Sequence, residues 1–326
     1  MIEALNEYGL FNGLKLGIKR VLRCHPFGKY GHDEIKKEGK TIWKNYFLII
    51  LSAFLLTGCS LKKDNLENAT IYTTIYPIKY LTEFMYKDYG TIESIYPSGA
   101  DVYNYELTDK QIKKYAKSDL FIYNGLSNEK TIAKNLINKN KNLLIIDVSN
   151  GLSYKNGDKE LWMSPNNYLM LAKNIKDYLK EYLESQIISD YVEKKYQELS
   201  EILSLKDADL RAIGKEAQSK GTNTLIVSDN VFKFLENYGF NIVSLDEENL
   251  TEGTLNSIKN NFKKETYTTI LVLDNNYTEN IKTIVNDYKA KTIDVKSMIN
   301  VETDNTDDYL TVMQDFIDNI ENICIS

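Results

Sequence analysis

Histidine is nearly absent from this sequence: its 326 residues include two, His25 and His32, and both lie close to the N-terminus. The rest of the chain therefore has no imidazole, which is the commonest metal ligand and the usual general base at neutral pH. The sequence also shows no nucleophile paired with a base, no glycine-rich phosphate loop and no other catalytic motif. These absences predict a protein that is not an enzyme.

Cysteine is scarce as well, and the position of one cysteine is informative. The three cysteines are Cys24, Cys59 and Cys324. Cys59 follows the apolar run 46–56, which is too short for a helix that must cross about 30 Å of hydrocarbon. Lysines precede this run and small residues follow it, which is the pattern of a secretory signal.

The residues at the end of this run indicate a lipid anchor. Leu56-Thr57-Gly58-Cys59 resembles the bacterial lipoprotein signal, in which the cysteine thiol receives a diacylglycerol and the chain is cut just before it. We therefore expect the chain from Cys59 onward to be exported and held by this lipid on the extracytoplasmic face of the cell membrane. Such cleavage would remove Cys24 and leave Cys324 without a partner, so no intrachain disulfide is expected.

Positive and negative charges are distributed unevenly. Residues 1–58 contain 9 Lys and Arg against 5 Asp and Glu, a net charge of +4, whereas the rest of the chain has 31 against 41, a net charge of −10. An acidic exported part argues against nucleic-acid binding, which needs a basic surface. This charge is compatible with the capture of a cation, but it selects no particular ligand.

Beyond residue 69 the sequence alternates β-branched and aromatic runs with helical patterns, starting with a strand predicted over 70–76. The alternation stops for one long helical pattern and restarts after Gly221. We predict an α/β fold of two parallel-sheet βα lobes joined by one long helix, with a ligand cleft between the lobes.

Thr108 and Gln111 form a capping-box pattern, and a helix is predicted near 230–238. The predicted segments are 1–34, 35–59 (the signal), 60–69 (a tether), 70–186 (the N-terminal lobe), 187–220 (the connecting helix) and 221–326 (the C-terminal lobe).

Several motifs of the exported part follow one another in a fixed order over about residues 70–323. They include Thr73-Thr74-Ile75-Tyr76-Pro77, Tyr96-Pro97-Ser98-Gly99-Ala100-Asp101, Trp162-Met163-Ser164-Pro165 and Asp307-Asp308-Tyr309. Together they resemble the solute-binding lipoproteins of zinc and manganese ABC importers. The resemblance implies a monomeric protein that captures a metal ion by a limited motion of its lobes. It also implies that the ion passes to a membrane permease powered by a cytoplasmic ATPase.

The first 34 residues resemble a different family. They contain Arg23-Cys24-His25-Pro26-Phe27 and Gly31-His32-Asp33, which are similar to the C-terminal half of the membrane protein insertion efficiency factor. The N-terminal half of that family is missing from the chain. Because lipoprotein cleavage would sever this segment, we interpret it as a gene remnant or a misplaced gene start. Membrane protein insertion through residues 1–34 is an alternative function.

The importer resemblance also implies four metal-binding side chains, which are usually three histidines, or two histidines and a glutamate, plus a final acidic residue. Matched one at a time, these positions fall on Tyr103, Glu160, Asp229 and Asp294. The second position would move to an aspartate if the match were shifted by two residues, and two further aspartates follow predicted strands. These spare candidates are Asp158, Asp246 and Asp274.

Two interpretations of these four residues are open. In the first, an all-oxygen site binds a hard cation such as Mn²⁺, or Fe³⁺ through a tyrosinate, in preference to Zn²⁺. Its carboxylates would repel one another without the ion, so binding would also order the lobes. In the second, no metal is bound, and a degenerate member of the fold acts as a surface adhesion or scaffold lipoprotein. In both, Trp162 is predicted to pack in the cleft wall.

Overall fold

The computed structural model describes residues 66–125, 128–152, 160–248, 250–299 and 308–325. The chain divides into two units, Met1–Leu61 and Lys62–Ser326, and every described residue belongs to the second unit. The predicted lipidation site at Cys59, the insertion-factor-like segment and Asp158 lie outside the described residues. Within the described ranges, none of the helices combines the length and the apolar character that a membrane span requires.

The N-terminal lobe alternates strands and helices. Its elements are β1 (Ala69–Thr73), α1 (Tyr76–Tyr86), β2 (Gly90–Ser94), α2 (Asp109–Tyr115), β3 (Leu120–Tyr123), α3 (Glu129–Lys139), β4 (Leu144–Asp147), a 3₁₀ turn (Leu161–Met163) and α4 (Pro165–Tyr182). The strands form one parallel sheet in the order β2-β1-β3-β4, with Ile71 paired to Ile92 and Phe121 to Ile145. Aromatic and β-branched side chains favour these strands because they pack well on a pleated, buried surface.

The C-terminal lobe repeats this arrangement after a long connecting helix. Its elements are α5 (Gln186–Lys220), β5 (Thr224–Val227), a 3₁₀ helix (Asn230–Tyr238), β6 (Asn241–Ser244), α6 (Glu252–Lys263), β7 (Thr269–Leu273), α7 (Glu279–Tyr288), β8 (Lys291–Val295) and α8 (Tyr309–Cys324). The sheet is parallel, in the order β6-β5-β7-β8. In each lobe, therefore, all four strands present their carboxyl ends at a common edge, where ligands bind in open α/β sheets.

The predicted architecture is confirmed, since two parallel-sheet lobes are joined by α5, which runs for 35 residues. Thr108 caps α2 as its sequence pattern predicts: Oγ1 accepts a hydrogen bond from Gln111 N at 3.3 Å, and the Gln111 side chain accepts one from Thr108 N at 2.9 Å. Two details differ. Residues 230–238 are helical in the tighter 3₁₀ form, and the first strand ends at Thr73 rather than at residue 76.

One continuous apolar core joins strands of both sheets to α5 and α8. Directional contacts reinforce it between the lobes: the Tyr309 hydroxyl donates to Trp162 O at 2.6 Å, and the rings of Tyr168 and Tyr309 have their centres 4.5 Å apart. Tyr76 N also donates to Ile299 O at 3.1 Å. Because wide separation of the lobes would expose this core to water, the structure favours small relative motions.

Cys324 ends α8 and is 2% exposed. Burial raises the pKa of its thiol to about 11, so the unreactive thiol predominates at pH 8. The native state therefore binds this proton more tightly than the unfolded chain does. The resulting contribution to the free energy of unfolding is lost as the pH rises from about 9 towards 11.

This burial can be measured in a 62–326 fragment, which keeps the whole described core and has Cys324 as its single cysteine. We expect the native fragment to react with iodoacetamide at pH 8 at least about tenfold more slowly than the urea-unfolded fragment, as followed by mass spectrometry. Equal rates would show that α8 does not bury this side chain.

Candidate metal centre

One tyrosine and three acidic side chains that are distant in the sequence follow strands of the two sheets. Asp274 comes directly after β7, and Asp229 lies two residues after β5. Tyr103 is in the loop that follows β2, and Glu160 directly precedes the 3₁₀ turn. Such positions at or beyond the carboxyl ends of parallel strands are where α/β folds place their binding residues.

Short-range hydrogen bonds shape the loop that carries Tyr103. Asp101 accepts one bond from the Asn104 side chain at 2.7 Å and another from Tyr103 N at 3.0 Å. These bonds, the Asn104 bond foremost, hold the pKa of the Asp101 carboxyl below its ordinary value. Asn128 Nδ2 donates to Tyr103 O at 3.2 Å, which ties the loop to the start of α3. An aspartate that folds back onto the following N–H groups is a common turn former, so this loop shape follows from the local sequence.

The Tyr103 hydroxyl donates a hydrogen bond to a side-chain oxygen of Glu160, which joins two of the predicted ligands. The residue is 48% exposed, but shielding of its phenol oxygen from water raises the pKa of Tyr103 far above the ordinary value. The negative charges of Glu160, Asp229 and Asp274 raise that pKa further. In the absence of a cation the phenol therefore stays protonated and acts as the donor to Glu160.

Asp229 caps the 3₁₀ helix, since its Oδ1 accepts a hydrogen bond from Val231 N at 2.8 Å. Partial burial raises the pKa of this carboxyl, the Val231 N–H opposes the rise, and the charges of Asp246 and Asp274 add to it. Asp229 thus lies in a region where negative charges repel one another. A cation at this position would relieve that repulsion.

Asp274, a spare candidate at the sequence level, interacts through its charge with two predicted ligands. It has a left-handed backbone conformation, with a φ of +46°. One of its carboxylate oxygens accepts a hydrogen bond from Ser297 N at 2.8 Å, and the other accepts one from Ser297 Oγ at 2.6 Å. Its charge raises the pKa of both Tyr103 and Asp229, so it belongs to the same group of interacting residues.

Asp294, the predicted fourth ligand, faces a different neighbour. It is exposed near the end of β8, and its Oδ1 accepts a hydrogen bond from the Tyr277 hydroxyl at 2.8 Å. The same hydroxyl lies 3.1 Å from Thr292 Oγ1, as expected for residues two apart on one face of a strand. The structure therefore brings Tyr103 and Glu160 into contact and places Asp229 near them, whereas Asp294 is directed towards the segment before α7.

The carboxylates of this region are not gathered tightly. Across the parts of the chain that the structure describes, no three His, Cys, Asp or Glu residues stand close enough to hold a single ion. Like charges repel each other, so a cation would be needed to bring these carboxylates closer together.

Trp162, which the sequence predicts to pack in the cleft wall, is buried, with 2% of its surface exposed. Its Nε1 donates to Ser297 O at 2.8 Å. No sequence pattern predicts Ser297 as a site residue, although it contacts both Asp274 and Trp162. Its partners lie 23 and 135 residues away, and a single serine after a strand belongs to no motif, so no local signal identifies it.

Two family models match this chain. The model described as zinc-uptake complex component A, periplasmic (ZnuA), matches residues 71–323. The model of the membrane protein insertion efficiency factor (YidD) matches residues 1–36. Both resemblances drawn from the sequence motifs are thereby confirmed.

Individual relatives agree with these matches. The chain is 28% identical over 242 residues to a metal ABC transporter substrate-binding lipoprotein of Lactococcus lactis, covering 67% of this chain and 75% of that protein. It is 25% identical over 213 residues to the iron-binding protein YfeA of Yersinia pestis, covering 61% and 67%. Its first residues are 59% identical over 34 residues to an insertion efficiency factor of Neisseria gonorrhoeae, covering 10% of this chain and 47% of that protein. The chain therefore spans about half the length of the insertion factor.

Solved structures share the two-lobed architecture. The Zn(II)-bound ZnuA-like domain of Streptococcus pneumoniae AdcA superimposes with a TM-score of 0.67 at 19% identity, covering 79% of this chain and 100% of that one. The metal-dependent lipoprotein YcdH of Bacillus subtilis gives a TM-score of 0.67 at 21% identity, with the same coverage. At these identities the likeness concerns the fold alone.

Proposed function

Because this chain belongs to the family of zinc-uptake complex component A, whose relatives include substrate-binding proteins of metal ABC transporters, we propose that it captures a metal cation outside the cytoplasm for an importer. In this role it would deliver the ion to a membrane permease without changing it chemically. The Lactococcus relative is named a lipoprotein, and the signal pattern before Cys59 supports the same anchoring here. Residues 1–36 take no part in this function, because cleavage before Cys59 would detach them.

In this proposal the cation site consists of Tyr103, Glu160 and Asp229, with Asp274 in place of Asp294. The hydrogen bond between Tyr103 and Glu160 supports it, as do the charges that Asp229 and Asp274 exert on the phenol. Each Asp274 oxygen accepts one hydrogen bond from Ser297 and keeps a further lone pair for an ion. We choose Asp274 rather than Asp294 as the fourth ligand because the Asp294 carboxylate accepts the hydrogen bond of Tyr277.

The donor set favours a hard cation. All four side chains offer oxygen, which suits Mn²⁺ and, through a tyrosinate, Fe³⁺, whereas zinc usually takes nitrogen or sulfur ligands. The relatives differ in the metals that their names mention, since YfeA is called iron-binding and the AdcA domain is Zn(II)-bound. We therefore base the choice of Mn²⁺ or Fe³⁺ on this chain's own residues.

Capture would replace one internal contact by several contacts to the ion. Before binding, the Glu160 carboxylate accepts the hydrogen bond of Tyr103. An arriving cation would compete for that carboxylate and draw it towards Asp229 and Asp274, because the ion cancels the repulsion that keeps the acidic groups apart. The continuous core would keep this displacement small.

The observation that carries the proposal is the pair of Tyr103 and Glu160 near the carboxylates of the other lobe, and ferric iron tests it directly. We expect Fe³⁺, supplied as citrate to the 62–326 fragment, to produce the visible absorption band of an iron-bound tyrosinate. Tyr103→Phe should abolish this band. Tyr105→Phe is the matched control, because the Tyr105 hydroxyl accepts a hydrogen bond from Gln111 at 2.7 Å in the same part of the lobe. If the band persists in Tyr103→Phe, Tyr103 is not a ligand of the cation.

A further inference from the structure

We propose that Ser297 is a positioning residue that aligns the two halves of the cation site across the interface between the lobes. This inference rests on the function proposed above. Ser297 follows β8 and is 3% exposed. It need not touch the ion, because its role is to fix Asp274 in one lobe and Trp162 in the other.

Within the C-terminal lobe, Ser297 holds the Asp274 carboxylate at two points. Its N–H donates to one oxygen at 2.8 Å, and its hydroxyl donates to the other at 2.6 Å. Because both oxygens are held, the carboxylate cannot rotate freely about its terminal torsion angle. Hydrogen bonds to a charged acceptor are also stronger than those between neutral groups. The hydroxyl of Ser297 therefore sets the direction in which Asp274 presents its lone pairs.

The carbonyl group of the same serine contacts the N-terminal lobe. Ser297 O accepts a hydrogen bond from Trp162 Nε1 at 2.8 Å, and both partners are buried. Trp162 is two residues beyond Glu160, and the next residue, Met163, donates its N–H to Glu160 O at 3.0 Å. The backbone that carries Glu160 is thus anchored to the residue that orients Asp274.

The backbone around Ser297 indicates that these contacts hold the loop in a constrained shape. Met298 is buried and has a φ of +58°, and Asp274 has a φ of +46°. Residues other than glycine seldom adopt such conformations, which persist where surrounding contacts enforce them and which cluster at binding sites. Ile299 adds a second link between the lobes, because its carbonyl accepts a hydrogen bond from Tyr76 N at 3.1 Å.

Ser297→Ala tests this role by removing the hydroxyl while leaving the backbone groups in place. We expect it to weaken Mn²⁺ binding by the 62–326 fragment about tenfold or more in isothermal titration calorimetry, or Fe³⁺ citrate binding if iron is preferred. Ser149→Ala is the matched control: Ser149 is buried too, and it donates its N–H at 3.0 Å and its hydroxyl at 2.6 Å to Asp147, which is not a proposed ligand. Ser297→Thr keeps the hydroxyl and should restore most of the affinity.

Two further readouts separate positioning from a general loss of stability. Both alanine variants lose a hydroxyl–carboxylate bond, and Ser297→Ala also loses the acceptor of the Ile299 N–H, at 3.3 Å. In urea without metal, Ser297→Ala should therefore lose as much stability as Ser149→Ala or slightly more. Trp162 is the single tryptophan of the 62–326 fragment, so its fluorescence reports on the interlobe contact. We expect the cation to change this emission in the wild type and in Ser149→Ala, and to change it less in Ser297→Ala.

The outcomes distinguish this inference from the function on which it rests. Equal affinities and equal emission changes in the two alanine variants would overturn the role of Ser297 and leave the cation site standing. If the wild-type fragment binds neither Mn²⁺ nor Fe³⁺, the proposed function and the role of Ser297 both fail.

Discussion

Asp229→Asn is expected to abolish the cation-dependent rise in the melting temperature of the 62–326 fragment. The amide oxygen can still accept the hydrogen bond from Val231, so the variant removes a charged ligand and keeps the cap on the 3₁₀ helix. At a cation concentration 100-fold above the Kd, the wild type gains about 2.7 kcal/mol of stability. For a domain of this size the gain corresponds to about 5 to 10 °C, which scanning calorimetry in Mn²⁺ resolves.

Asp294→Asn is the matched control for this experiment. It also neutralises an aspartate close to the end of a C-terminal-lobe strand, but that carboxylate accepts the hydrogen bond of Tyr277. We expect this variant to keep the cation-dependent rise and Asp274→Asn to lose most of it. The reverse pattern, with the rise lost in Asp294→Asn and kept in Asp274→Asn, would restore Asp294 as the fourth ligand.

Gly214→Ala is expected to lower the free energy of unfolding by about 3 kcal/mol. Gly214 lies in α5 where this helix approaches the 3₁₀ helix, and a Cβ there would overlap the carbonyl oxygen of Tyr238 and come within 3.2 Å of the Phe240 ring. A backbone carbonyl cannot rotate out of the way as a side chain can, so the two elements would have to move apart. Urea unfolding followed by circular dichroism measures the loss.

Gly253→Ala provides the corresponding control. Gly253 also lies within a helix, α6, but the nearest atom to an added Cβ would be Thr251 Oγ1, at 4.0 Å. Because alanine favours helices more than glycine does, this change should stabilise the fragment. The gain should be below the roughly 1 kcal/mol found in a helix interior, since Gly253 is the second residue of α6. Similar stabilities for the two variants would show that α5 does not approach the 3₁₀ helix as closely as the structure indicates.

Much of the fold could be predicted because local chemistry and packing agree. The alternation of strands and helices restarts after Gly221 as predicted, and Gly221 ends α5 with a φ of +72°, a conformation suited to glycine. The first strand was predicted too long for a specific reason. Ile75 is already the N-cap of α1, whose second residue is Pro77, so the apolar run continues across the boundary between strand and helix. Hydrophobicity alone does not reveal such a boundary.

The choice between Asp274 and Asp294 in the proposed site could not be made from the sequence. The sequence places Asp294 and Asp274 at the ends of neighbouring strands, but it does not reveal which of them interacts through its charge with Tyr103 and Asp229. That choice depends on the left-handed backbone at Asp274 and on Ser297, which is distant in the sequence. The motifs near Tyr103 and Glu160 make both residues candidates, but they do not predict the hydrogen bond that joins them across 57 residues.

Metal content is the most direct test of the central claim that this chain captures a hard cation with oxygen ligands. The 62–326 fragment, prepared without a histidine tag, would be dialysed against equal concentrations of Mn²⁺, Fe³⁺ citrate and Zn²⁺ and then examined by elemental analysis. The proposed site predicts about one equivalent of manganese or iron and little zinc. One equivalent of zinc, or no bound metal under any of these conditions, would contradict it.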